Sequence, residues 1–188
     1  MKNQINLPNA ISLARFLSMP VLLWLAWHGF ERIFLILLTA CLFSDMLDGW
    51  IARKYQLHTE LGSRLDSWSD FFIYSTMALG GWWLWPDVIL RELSYDVILL
   101  VCFIAPTVFG IIKFSRFTSY HTWSVKLASL LVGTGSILMF AGGPVWIFHL
   151  SVPFCMVAAI EEILITLVST KPHSNTRTLW HAMRSKHT

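Results

Sequence analysis

The chain has 188 residues, 55% hydrophobic and 13% charged, with a formal net charge of +3. Soluble globular domains carry about 25% charged residues, so this composition excludes an ordinary soluble domain. It predicts an all-α integral membrane protein, a single domain over residues 1–170 with its apolar surface turned to lipid, followed by a basic tail over 171–188.

A membrane-spanning helix needs about 20 mostly apolar residues. The first such stretch covers residues 9–27, and the few residues before it lack the features of a cleavable signal peptide. Asn9, Ser12 and Arg15 recur at steps of three, on one slowly turning face of this helix. A helix N-cap at Asn9 and an Arg15 reaching for the interface would explain them without chemistry.

The second stretch covers 32–54 and carries Asp45, Asp48, Gly49, Ala52 and Arg53. Asp45 and Asp48, three apart, share a face, and small residues close to that stripe would let a flat ligand approach the backbone. The third covers 60–85, where Gly62, Asp66 and Asp70 recur every four residues as one stripe. A short turn joins these two helices, which makes them antiparallel neighbours and lets the four carboxylates converge at one depth. The fourth, fifth and sixth stretches cover 95–114, 122–141 and 144–169. Pro20, Pro106 and Pro153 fall mid-helix and predict kinks. Cys41, Cys102 and Cys155 all lie in apolar segments, with no disulfide or zinc spacing. In the tail, Leu179, Trp180 and Met183 would form one face of a short interfacial helix, unless the tail is a disordered basic segment near anionic lipid.

With six spans, both termini share one side. Of the fourteen lysines and arginines, all but Arg32 and Arg91 fall on that side, which places both termini in the cytoplasm. Trp24, Trp27, Trp82, Trp83, Trp85 and Trp146 cluster at the opposite helix ends as an aromatic belt.

An aspartate at the bilayer centre costs roughly 2.5–3.5 kcal/mol on insertion scales, so four of them call for positive partners. Structural ion pairs with Arg53, Lys54 and Arg64 are the plain alternative. Hard divalent cations take oxygen ligands, and Mg²⁺ combines a few carboxylates with water and substrate phosphate. Four aspartates without histidine or cysteine beside them suit Mg²⁺ or Mn²⁺ better than zinc. Two such ions on a pyrophosphate would stabilise both the leaving oxygen and the attacked phosphorus. A carboxylate not fully used by metal could accept the proton of an attacking hydroxyl.

The spacing Asp45-x2-Asp48-Gly49-x2-Ala52-Arg53-x8-Gly62-x3-Asp66-x3-Asp70 is similar to the signature of the CDP-alcohol phosphotransferase family, matched at every position. The resemblance covers nearly the whole chain, because the family's six-helix arrangement and size also fit. It implies that a CDP-linked donor, usually CDP-diacylglycerol, meets a small alcohol in a cytoplasm-facing cavity. The alcohol attacks the phosphorus that bears the lipid, and CMP leaves. By the same resemblance Asp45, Asp48 and Asp66 are metal ligands, and Asp70 is the general base and a further metal contact. Gly49, Ala52, Arg53 and Gly62 line the CDP site. Asn9, Ser12 and Arg15 resemble the start of many members and are expected near the nucleotide or its phosphates. The resemblance further implies a homodimer in a bacterial inner membrane, and nucleic acid is not an expected partner.

Lys113, Arg116 and Lys126 bracket the connection between the fourth and fifth helices, on the side of the aspartates, with Ser115, Thr118, Ser119, Tyr120 and His121 between them. Three cations among hydroxyls make a phosphate pocket and favour a phosphorylated acceptor, glycerol 3-phosphate first. A positive loop touching anionic headgroups is the alternative. Inositol phosphate, inositol, serine and phosphatidylglycerol remain as other acceptors. Phosphatidylglycerophosphate and cardiolipin synthases often carry proline after the third aspartate and lysine after the fourth, where this chain has Ser67 and Phe71. Glu161 and Glu162 in the sixth stretch should face the protein interior, paired with a pocket cation or placed at a subunit contact. Two other classes also use intramembrane acids. Membrane prenyltransferases are longer and lack the Gly49, Ala52, Arg53, Gly62 pattern. A divalent-cation transporter should line both membrane halves with polar residues, whereas the outer halves of the second and third helices here are almost wholly apolar or aromatic.

Overall fold

In the computed structural model, the described residues are 7–55, 60–114 and 122–169, and they are almost wholly helical, joined by short turns, with no strand among them. Six helices follow in order: α1 Leu7–Trp27, α2 Glu31–Lys54, α3 Glu60–Leu84, α4 Pro86–Phe114, α5 Trp123–Phe140 and α6 Trp146–Val168. Five agree with the apolar stretches to within two residues. The exception is α4, which begins at Pro86, nine residues ahead of the expected start. Proline suits the first helical position, since that N–H has no intrahelical partner, and Asp87 in the first turn favours the positive end of the helix dipole. The Trp85 carbonyl accepts from both Val88 N and Ile89 N (each 3.1 Å), so almost no loop separates α3 from α4.

Among the described residues four helices are long and apolar enough to cross a membrane: α1 over Asn9–Trp27, α4, α5 and α6. The other two, α2 and α3, have sufficient length, at 24 and 25 residues, but carry the charged residues of the aspartate pattern. Leucine, isoleucine, valine and tryptophan side chains stand exposed along the apolar helices, as the lipid-facing surface of a membrane protein requires.

The helices group into two compact units, Met1–Leu90 and Arg91–Thr188. In the first, α1 packs along α3 and α2. The buried face of α1 is one helical stripe: Asn9, Ser12, Arg15, Met19, Leu22, Leu25 and Ala26. Its N-terminal half is polar and its C-terminal half apolar. The stripe of α2 runs Phe34, Leu38 and Cys41, and Asp45 continues it. That of α3 runs Ser69, Ile73, Thr76, Met77 and Gly80. Lipid is as apolar as leucine, so helix association here depends on close packing. Gly80 makes room for the Phe34 ring: a Cβ at position 80 would lie 2.4 Å from Phe34 Cζ. At the far end, Trp27 of α1 meets Trp83 of α3 edge to face at 5.2 Å.

In the second unit, α5 and α6 form the closest pair. A Cβ on Gly135 would stand 2.7 Å from the Phe148 backbone Cα, so α6 passes directly over that glycine. Thr122 caps α5 by accepting from Val125 N at 3.3 Å. Polar links join α4 to α6 at both ends. Near the start of α4, Glu92, 7% exposed, receives His149 Nε2 at 2.7 Å, while Tyr95 stacks on the same imidazole at 4.1 Å. Near its end, Lys113 Nζ donates to the Thr166 and Leu167 carbonyls at 2.8 and 2.7 Å.

Candidate active site

The polar half of the α1 stripe faces the acid-bearing ends of α2 and α3. Arg15, 2% exposed, is the buried charge at its centre. Its Nη1 donates to Asp45 Oδ1 on α2 and lies 3.4 Å from Asp70 Oδ1 on α3. One guanidinium therefore joins acids 30 and 55 residues away along the chain. A buried charge is tolerated only when paired and hydrogen-bonded; the two aspartates pair with Nη1, while Nε is buried without a hydrogen bond among the described residues.

The carboxylates sit differently from their partner. The Asp45 and Asp70 side chains are 37% and 32% exposed, against 1% for Arg15. The cation lies beneath and the acids open outward, as ligands for an incoming group must. A second link fixes the same corner: Ser69 Oγ, fully buried, donates to the Ser12 carbonyl at 3.2 Å. One residue from Asp70, Ser69 holds α3 against α1 at the depth of Arg15. On the other side of Arg15, Ser18 Oγ donates to the Arg15 carbonyl at 2.7 Å and lies 3.0 Å from Cys41 Sγ on α2.

The remaining predicted positions fall as follows. Asn9 and Ser12 are buried on the Arg15 face of α1, and Gly62 is half-buried near the start of α3. Asp48, Gly49, Ala52 and Arg53 lie in the last turns of α2, and Asp66 lies one turn before Asp70 on α3, but their side chains fall outside the described residues. Arg116 and the tail 171–188 also lie outside them. Lys113 is engaged with the α6 carbonyls, and Lys126, exposed, has its ammonium 5.5 Å from the centre of the Trp123 ring. Glu161 accepts a hydrogen bond from Ser124 in the first turn of α5, an uncharged partner rather than one of the pocket cations.

Sequence reasoning missed Ser69 and the Glu92–His149 pair. Ser69 was legible in principle, as a hydroxyl on the same stripe as Ile73 and Thr76. Glu92 and His149 lie 57 residues apart with no shared motif, and only the fold brings them together.

The donors at the site are carboxylate oxygens, the set that suits Mg²⁺ or Mn²⁺ rather than zinc. Two of them, from two helices, come within reach of one cationic group. Among the described residues no group of three His, Cys, Asp or Glu side chains stands close enough to hold an ion.

Comparison with known proteins gives several related sequences. A probable phosphatidylglycerophosphate synthase of Mycobacterium tuberculosis is 28% identical over 177 residues, 86% of this chain and 78% of that protein. A CDP-diacylglycerol–glycerol-3-phosphate 3-phosphatidyltransferase of Rickettsia typhi is 34% identical over 68 residues, 35% of this chain and 38% of its own length. A cardiolipin synthase (CMP-forming)/mitochondrial hydrolase fusion protein of Schizosaccharomyces pombe is 32% identical over 69 residues, 37% of this chain and 12% of that protein. No solved structure gives a significant match. The sequence profile of CDP-alcohol phosphatidyltransferases matches residues 5–168, nearly the whole chain, and with the aspartate pattern and the helical fold it establishes that this protein belongs to the CDP-alcohol phosphatidyltransferase family.

Proposed function

We propose that this protein transfers a phosphatidyl group from CDP-diacylglycerol to the hydroxyl of a small alcohol, with glycerol 3-phosphate as acceptor and CMP as leaving group. The observation that carries this reading is the meeting of Asp45 and Asp70 on the buried Arg15, with both carboxylates open outward. The names of the M. tuberculosis and R. typhi relatives support the acceptor. In this reading Asp45, Asp48, Asp66 and Asp70 hold two Mg²⁺ or Mn²⁺ ions. When bound, the ions would neutralise the pyrophosphate and stabilise the departing CMP oxygen.

The chain's own residues supply the rest. Asp70 accepts the proton of the attacking hydroxyl as the new oxygen–phosphorus bond forms and the bond to CMP breaks. Gly49, Ala52 and Gly62 leave room for the nucleotide, and Arg53 meets its phosphates. Asn9 and Ser12 border the same space from α1. Lys113, Arg116 and Lys126 draw the phosphate of the acceptor. The lysine ammonium has three N–H groups, and the two α6 carbonyls account for two of them in Lys113. The fold is read as six crossings with both termini in the cytoplasm, working as a homodimer in a bacterial inner membrane. Purified protein given CDP-diacylglycerol, Mg²⁺ or Mn²⁺ and a panel of alcohols tests the reading: CMP release should depend on glycerol 3-phosphate and disappear in Asp70→Asn. Release with another alcohol alone would keep the chemistry and replace the acceptor.

A further inference from the structure

The position of Arg15 has a consequence for metal binding. The guanidinium contacts Asp45 and Asp70 through the same atom in each, Oδ1, from the buried side. The sequence places two more aspartates, Asp48 and Asp66, about one turn away on the same helices. Carboxylates gathered at this density repel one another, and the repulsion opposes closure of α2 and α3 around the site. A buried cation reaching both helices offsets that repulsion. It also stands within a few ångströms of the place where a second cation would bind those acids.

Resting on the divalent-ion reading above, we propose that Arg15 is the built-in counter-ion of the acidic cluster and competes with the divalent ion for Asp45 and Asp70. Like charges at this distance weaken each other's binding even where solvent reaches the site. The coupling is reciprocal: an ion that loosens the hold of Arg15 on the acids is itself held less tightly because of Arg15. The alignment of the helices does not depend on Arg15 alone. The Ser69–Ser12 hydrogen bond and the Phe34–Gly80 fit hold α1, α2 and α3 together independently. Removing the guanidinium therefore takes away a competing charge while leaving the acids near their places. A purely architectural Arg15 predicts the opposite sign, because its loss would scatter the ligands and weaken metal binding.

The test is equilibrium Mn²⁺ binding to the full chain in mild detergent without substrate, read from the spin-resonance signal of free Mn²⁺. Arg15→Gln should bind Mn²⁺ about tenfold more tightly than the parent protein. Arg15→Lys should bind it about threefold more tightly, since an ammonium keeps the charge but not the planar guanidinium that sets Nη1 against both acids. Thermal unfolding checks that each variant is folded, and added Mn²⁺ should raise the midpoint more in Arg15→Gln than in the parent. If Arg15→Gln does not fold, Arg15→Lys decides. Unchanged or weaker Mn²⁺ binding in a folded variant overturns the competition and leaves the divalent-ion reading standing. A parent protein that binds no Mn²⁺ overturns both.

Discussion

Arg15 and its two aspartates place one buried charge and two half-exposed ones at the junction of three helices. Removing one partner of a fully buried pair costs about 3–5 kcal/mol. Here the carboxylates are partly solvated, so Asp45→Ala should cost less, about 2 kcal/mol, seen as a lower unfolding midpoint in detergent. Asp45→Asn keeps a hydrogen-bond acceptor for Nη1 and should lose about half of that. An unchanged midpoint for both would mean that Asp45 does not neutralise Arg15. Ser69→Ala should cost about 1 kcal/mol, the net worth of one hydrogen bond. That Asp45 and Asp70 come together was legible from spacing, because an i, i+3 or i, i+4 repeat of aspartate in an apolar helix has few explanations. The direction of Arg15 was not. Its step of three along α1 puts it on the face of Asn9 and Ser12, but only the packing of α1 against α2 and α3 turns that face toward Asp45 and Asp70.

At the scale of the element, close approach and polar end links take the place that hydrophobic burial has in water. Gly135→Leu should force α6 off α5 and cost about 1–3 kcal/mol, the usual penalty of overpacking. A midpoint equal to the parent would show that α6 does not pass over Gly135 as described. His149→Ala should leave Glu92 buried without its nearest partner and destabilise the chain by about 1–3 kcal/mol. His149→Gln, which can still donate, should recover part of the loss. Helix ends were readable where composition changes sharply, as at Lys54 and Phe114. The start of α4 was not, because Asp87, Arg91 and Glu92 break the apolar run although Pro86 and Asp87 suit a helix start. A helix of 29 residues spans about 43 Å, more than the roughly 30 Å hydrocarbon core, so its first turns can carry charge.

At the scale of the whole molecule, the chain combines four plainly apolar helices with two that carry the acids. Composition made the membrane class legible, and the aspartate spacing made the family legible. The acceptor was not, because the aspartate motif that marks the family carries no residue assigned to the acceptor. The proposed topology puts residues 56–59 and 115–121 on the cytoplasmic side and residues 28–30 and 141–145 on the other. Cysteines introduced singly in these connections should react with a membrane-impermeant reagent only from the matching side. Labelling of both sets from one side would rule out six crossings.

The most direct measurement is CMP release by the purified chain with CDP-diacylglycerol, glycerol 3-phosphate and Mg²⁺ or Mn²⁺, beside Asp70→Asn. Phosphatidyl transfer at the aspartate cluster requires release that needs both the ion and the alcohol and falls at least about a hundredfold in Asp70→Asn, the scale of a lost general base. Release that continues in the presence of a chelator, or unchanged in Asp70→Asn, would contradict it.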